Sequence, residues 1–220
     1  MDKVDQAFNL YCDYLKITLQ DIGRRYNREW IFRHVDYTFS FGNRYAILGP
    51  NGSGKSTLLK VLSGSLTPSE GTLAYHSVNS PIDVEDIYQH TGIAAPYVEM
   101  IEEFTLLELI DFHFKFKPYL EGFNMELVKE RLGFGSQVFQ KEIRHFSSGM
   151  KQRVKLVLAC CANSQILFLD EPTSNLDKEG ERWYLDLVEA TSKDRLLIIG
   201  SNQEHEYAFC NAYLEIMDFK

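Results

Sequence analysis

The stretch Gly49-Pro50-Asn51-Gly52-Ser53-Gly54-Lys55-Ser56-Thr57 places three glycines, a lysine and several hydroxyls directly behind the apolar run Tyr45–Leu48. It fits the spacing G-x-x-x-x-G-K-[ST]. Glycines at those positions leave main-chain N–H groups unhindered, so the backbone itself can wrap a polyanion. A helix that follows adds its N-terminal N–H groups and the positive end of its dipole. Lys55 is expected to reach the β- and γ-phosphates as a point charge. Ser56 is expected to set its hydroxyl on Mg²⁺, with Thr57 beside it on the first turn.

A second stretch, Ile166-Leu167-Phe168-Leu169-Asp170-Glu171, is an unbroken apolar run that ends in two carboxylates. Ligands in open α/β sheets sit at the carboxyl ends of strands. Asp170 is then placed to hold Mg²⁺, directly or through water, and Glu171 to polarise a water toward a γ-phosphate. Taken alone, Asp-Glu after a strand is a weak signal whose plain alternative is a helix N-cap region; behind a phosphate loop that alternative recedes. A third stretch, Ser147-Ser148-Gly149, opens a helical pattern that runs to Cys161 and offers another N-terminal anion site. Its plain alternative is a capping serine with a glycine for close packing. Two phosphate sites far apart in one sequence suggest two copies meeting head to tail.

The elements needed to position these groups are visible in the pattern. Lys16–Ile22 alternates, Trp30–Phe41 is rich in aromatic and β-branched residues, and Arg44–Leu48 and Gly71–His76 are short strands. Ser56–Ser63 follows the glycine loop as a helix. Phe104–Phe116 has helical spacing and stops at Pro118; Met125–Leu132 and Ser136–Ile143 are shorter helical candidates. Ser148–Cys161 buries Met150, Val154, Val157, Leu158 and Cys161 on one face. Glu179–Thr191 reads as a helix, Leu196–Gly200 as a buried strand and Tyr213–Met217 as a last strand. The expected architecture is one α/β domain over residues 1–220. It has a mostly parallel phosphate-loop core, an antiparallel β portion at the N-terminal edge and a helical insert over about 95–160. Residues 1–13 read as a short extension without assigned function.

Composition bounds the alternatives. Among 220 residues, 45% are hydrophobic and 25% charged, the balance of a globular chain, and the net charge is −8. Counterion release needs a basic face, so the acidic balance argues weakly against a nucleic-acid partner and none is expected, although it leaves room for a local basic patch. The cysteines Cys12, Cys160, Cys161 and Cys210 have neither zinc spacing nor a disulfide framework, and read as reduced thiols. No apolar run reaches membrane-spanning length. The start Met1-Asp2-Lys3-Val4-Asp5 lacks the features of a secretory signal. A cytoplasmic chain, bound to the inner face of the cell membrane through a partner, is the expectation.

Nearly the whole chain, from about Lys16 onward, resembles the nucleotide-binding subunits of ATP-binding cassette (ABC) transporters. The resemblance rests on "GPNGSGKST", on "ILFLDEPTSNLD" closing at Asp177, and on Phe146-Ser147-Ser148-Gly149-Met150-Lys151-Gln152-Arg153, which is similar to the family signature. It implies Mg-ATP hydrolysis at a homodimer interface or with a paired cassette, Ser147–Gly149 capping the ATP of the other subunit. It also implies a separately encoded transmembrane permease, and an adenine-stacking role for Tyr26. Three positions depart from the pattern. Pro96 stands where the family has a metal-touching Gln, with Glu99 nearby as a weak substitute. Asn202 stands at the switch His, able to donate from its NH₂ but carrying no charge, and His205 reads as a surface residue. Ser148 and Met150 replace Gly and Gln in the signature. These changes leave ATP binding intact and predict slow hydrolysis. Two other readings stay open: a soluble ABC ATPase that acts on nucleic acid or the ribosome, and a regulatory clamp that binds ATP with little or no turnover.

Overall fold

The computed structural model describes residues 15–77 and 80–220; the expected extension over residues 1–13, with Cys12, lies outside them. Strand β1 (Lys16–Tyr26) pairs antiparallel with β2 (Glu29–Ser40). β3 (Arg44–Leu48) runs through the glycine loop into α1 (Lys55–Leu62). β4 (Glu70–His76), β5 (Pro81–Ile82), α2 (Ile87–His90) and β6 (Thr91–Ala94) follow. The insert then carries α3 (Leu106–Phe116), α4 (Met125–Leu132), two 3₁₀ turns and α5 (Ser148–Cys161). β7 (Ile166–Asp170), α6 (Lys178–Thr191), β8 (Leu196–Gly200), α7 (Glu204–Tyr207) and β9 (Ala212–Glu215) complete the described chain.

Two sheets result. One is antiparallel, in the order β2-β1-β4-β5; the other is parallel, in the order β6-β7-β8-β3-β9. Every residue of β7 and β8 is buried. Their side chains alternate between two cores, which is why these strands read as continuous apolar runs. Leu167, Leu169, Leu197 and Ile199 face the core shared with the insert. Ile166, Phe168, Leu196 and Ile198 face the core shared with α1 and the antiparallel sheet.

Several boundaries differ from the sequence reading. Ser136–Ile143 is not a helix but two 3₁₀ turns, Ser136–Gln140 and Ile143–His145. Gly133, at φ 67, ends α4 just before them. β6 was invisible in the pattern: Thr91-Gly92-Ile93-Ala94 is too short and too weakly apolar, and it becomes a strand by pairing in parallel with β7. The last strand is Ala212–Glu215, after which Ile216–Phe219 forms a 3₁₀ turn. Helix α1 begins one residue earlier than expected, at Lys55.

The insert is held at its entrance by a capping box. Thr105 Oγ1 accepts from Glu108 N at 3.3 Å, and Glu108 Oε2 accepts from Thr105 N at 2.8 Å. Hydrogen bonding to both groups of Thr105 holds the Glu108 carboxyl below its usual range. Thr105→Ala is therefore expected to cost about 1 kcal/mol of stability, measured by urea denaturation, with the loss reduced in acid as the Glu108 carboxyl protonates through its lowered range.

Candidate functional site

The parallel register sets Ile47 opposite Gly200, and Gly200 opposite Asp170. The carboxyl ends of β3, β8 and β7 thus stand in one row, and the glycine loop rises from the first of them. Gly54 caps α1 at φ 103; no side chain caps this end, and its first turn carries no acid. The positive helix end is left for an external anion. Position 54 has to be glycine on two counts: its φ, and a Cβ that would come within 2.6 Å of Ile31 Cγ2.

Lys55 is buried at 4% exposure. Its ammonium donates to Gly49 O at 2.8 Å and Pro50 O at 3.1 Å, so the loop is curled around a positive charge. The Ser53 hydroxyl is buried without a hydrogen-bond partner. Ser56 and Thr57 are half-buried on the first turn of α1. Gly49, Pro50, Asn51 and Gly52 form the rest of the cradle, and Asn51 Oδ1 accepts from Asn202 Nδ2 at 3.0 Å.

Asp170 is 1% exposed, and both of its carboxylate oxygens lack a hydrogen-bond partner. Burial pushes its carboxyl up to about 6. The nearby Ser56 hydroxyl opposes that rise without being aligned as a hydrogen bond; Glu171 adds to it, and Lys55 and Lys60 offset part of it. An orphaned buried carboxylate beside a serine hydroxyl is a hard-oxygen donor set that fits Mg²⁺, which takes few protein ligands and completes its shell with phosphates and water. Glu171 follows at φ 44, a left-handed conformation unusual for a glutamate, with its N–H donating to Gly200 O at 2.9 Å. That turn takes the chain out of the strand direction directly after Asp170.

Tyr26 ends β1, opposite Glu29 across the hairpin, and is 45% exposed with the Arg24 guanidinium 4.7 Å above its ring. Contact between Ile31 and Gly54 sets the same hairpin against the glycine loop. Ser147, by contrast, lies on the insert as the N-cap of α5, accepting from Met150 N at 3.2 Å. Ser147 and Ser148 are exposed and Gly149 half-buried. Helix α5 packs on α4, α6 and β6, so the chain's own fold does not bring the signature segment to the glycine loop. Asp177 caps α6 through Gly180 N at 2.8 Å.

Counting along the sequence singled out Pro96 and passed over its neighbour. Pro96 offers only its carbonyl, to Lys155 Nζ at 3.2 Å. The neighbouring side chain is Tyr97, 37% exposed as a residue, with Lys60 Nζ 4.0 Å from its ring centroid; desolvation of its hydroxyl raises its pKa, and the Asp170 charge adds to the rise. Only the pairing of β6 with β7 could have revealed this, because β6 sets where residue 97 emerges. Glu99 lines a groove on the insert with Lys155 instead. His205 is half-buried rather than a plain surface residue, with Nε2 3.1 Å from Thr173 Oγ1.

A glycine cradle at an uncapped helix end, with a buried lysine and an orphaned aspartate on the neighbouring strand, defines a phosphate-loop nucleotide-binding domain. The family model described as ABC transporter matches residues 32–174. The chain belongs to the ABC transporter family and is an ATP-binding domain of the transporter type. It is 29% identical to the cytochrome c biogenesis ATP-binding export protein CcmA of Rhizobium johnstonii over 183 residues, covering 80% of this chain and 82% of the relative. Against ATP-binding cassette sub-family F member 2 of Bos taurus it is 33% identical over 168 residues, 74% of this chain but only 25% of that longer protein. Its fold matches a putative ABC transporter ATP-binding protein from Pyrococcus furiosus, with TM-score 0.76, 20% identity, and 93% and 99% of the two chains covered. It also matches a dimeric ATP-binding cassette, MJ0796, bound to ADP and Pi in a post-hydrolysis state, with TM-score 0.75, 21% identity, and 91% and 94% covered. Among the described residues no helix is long and apolar enough to cross a membrane.

The Asp170 carboxyl gives a pH signature in metal-free protein. The folded chain keeps this proton up to about pH 6, whereas an unfolded aspartate releases it near pH ~4. Between those values the fold binds more protons, so this group's contribution makes stability fall as pH rises. Glu70 and Glu102, held low by hydrogen bonds from Arg33 and Lys151, act with the opposite sign at lower pH. Asp170→Asn in EDTA should therefore gain up to roughly 2–3 kcal/mol over the wild type at pH 7 and much less at pH 4. Denaturation at the two pH values checks this, and an equal difference at both would contradict it.

Proposed function

We propose that this chain is the ATP-hydrolysing subunit of an ABC transporter, closing with a second copy, or a paired cassette, on Mg-ATP to drive a separate membrane subunit. One observation carries the reading: the orphaned Asp170 carboxylate stands beside Ser56 at an uncapped, lysine-bearing helix start. In this reading residues 49–57 hold the triphosphate by main-chain N–H groups, and the Lys55 ammonium exchanges two loop carbonyls for phosphate oxygens. Ser56 and Asp170 hold the metal. A Mg²⁺ ion held there would supply positive charge to neutralise the phosphate groups.

Glu171 accepts a proton from, and orients, the attacking water. Asn202, already at Asn51, donates to the γ-phosphate through its amide. Tyr26 stacks on the base, a contact worth ~1–3 kcal/mol. Ser147, Ser148 and Gly149 cap the ATP of the opposing copy, which accounts for their exposure and for their distance from the chain's own loop. The match to a dimeric cassette supports this arrangement. A cavity of about 410 Å³ between β6 and the insert, walled by Tyr88, Met100, Ile101, Phe112 and Phe116, suits an apolar element of the membrane subunit. That partner would hold the chain at the inner face of the membrane.

Lys55→Ala should weaken Mg-ATP binding roughly 10- to 100-fold, measured by calorimetry. Glu171→Gln should leave ATP affinity nearly intact and reduce phosphate release roughly 10²- to 10⁴-fold; equal turnover would remove Glu171 from this role.

The neutral Asn202 supports slow turnover and favours, as a second reading, a clamp that binds ATP without hydrolysis. Asn202→His separates the two. In a slow ATPase it should raise kcat several-fold, with little change in KM; in a clamp, neither protein releases phosphate over hours.

A further inference from the structure

Glu206, on the short helix α7, is fully buried. Among the described residues it has no lysine or arginine as hydrogen-bond partner. Its carboxylate instead collects neutral donors from two different segments. Thr173 N donates to Oε1 at 2.8 Å, the Thr173 hydroxyl donates to the same oxygen, and the Ser201 hydroxyl donates to Oε2. A buried carboxylate held by neutral donors is a costly way to fill space. The two segments it joins are informative. One is the loop leaving Glu171; the other is the turn carrying Asn202.

Each segment is tied onward. Ser201 N donates to Ile47 O at 3.2 Å, at the root of the glycine loop, and the next residue, Asn202, donates to Asn51. On the other side, Gln152 Nε2 donates to Pro172 O at 2.8 Å, which fixes the loop to the signature helix α5. Gly149 closes the same contact: a Cβ there would meet Asn175 O at 2.8 Å, so helix and loop touch main chain to main chain. Tyr184 OH donates to Glu206 O at 2.9 Å and holds α7 against α6. A continuous set of contacts therefore runs from Asn51 and Asn202, through Ser201, Glu206 and Thr173, to Pro172, Asn175 and the start of α5.

We infer that Glu206 is a positioning residue that locks the Asn202 turn to the loop after Glu171, and through it sets the signature segment, so that occupancy of the chain's own phosphate site prepares Ser147–Gly149 for the ATP of the opposing copy. The inference rests on the head-to-tail arrangement proposed above. It assigns the coupling between the two sites to a residue that touches neither nucleotide. Such couplings have typical sizes of 5- to 150-fold, and both sites share them reciprocally.

The test uses the full chain in the Glu171→Gln background, where turnover is suppressed. Glu206→Ala should leave the affinity of the monomer for ADP within about two-fold of its parent, measured by calorimetry. Its dimerisation in Mg-ATP, measured by sedimentation, should weaken about five-fold or more. Glu206→Gln, which keeps the shape and an acceptor for Thr173, should recover most of the loss. In a double-mutant cycle with Gln152→Ala, the combined loss should be smaller than the sum, because both residues hold the same loop. Dimerisation of Glu206→Ala as tight as its parent would overturn the coupling while leaving the two-copy reading intact. Failure of the parent itself to dimerise on ATP would overturn both. Should Glu206→Ala not fold, Ser201→Ala and Thr173→Val each remove one donor and carry the same expectation, and unchanged dimerisation in both overturns it.

Discussion

A negative charge without a partner, at the end of a buried strand, is the constraint from which the rest of the structure follows. Asp170 is almost wholly removed from water, and its oxygens lack donors. The parallel register holds it there, because β7 cannot shift by one residue without sending its apolar set to the wrong core. The same register brings the root of the glycine loop and the Asn202 turn level with it. The unsatisfied carboxylate, the uncapped helix and the lysine held by the loop are thus three aspects of one arrangement of preorganised charges.

Around that corner, buried strands and an exposed signature segment belong to separate parts of the chain. β3, β7 and β8 are sealed between two cores. The insert shares one of those cores but presents the signature serines outward. Between the two lies the loop after Glu171, held by Gln152 at Pro172 and by Glu206 at the next residue, Thr173. Its hydrogen bonds reach β8, α5 and α7 as well as its own turn, so it joins several elements. This is the layout expected where ligand binding on one body must be read by another.

Asn202 and Tyr97 give this cassette an individual character. Asn202 supplies donors without charge, and its bond to Asn51 places it at the loop. Tyr97, rather than Pro96, supplies a side chain beside Lys60 on α1.

Much of this was legible in the residues alone. Local patterns report local physics: glycines with a following Lys-Ser specify a phosphate loop, and an apolar run ending in Asp-Glu specifies a strand whose end bears acids. Caps such as Ser147 and Asp177 can be read the same way. Other features were not legible, because they depend on contacts between distant segments. β6 is a strand only through β7, and Tyr97 reaches the site only because β6 lies there. Glu206 looks like one more surface acid in Glu204-His205-Glu206 until α7 folds it onto Thr173 and Ser201. The sequence determined the kinds of groups available and the elements that carry them. Tertiary structure decided which groups lose their water and find each other, since burial and hydrogen bonding across long sequence separations exist only once the sheet has set its register.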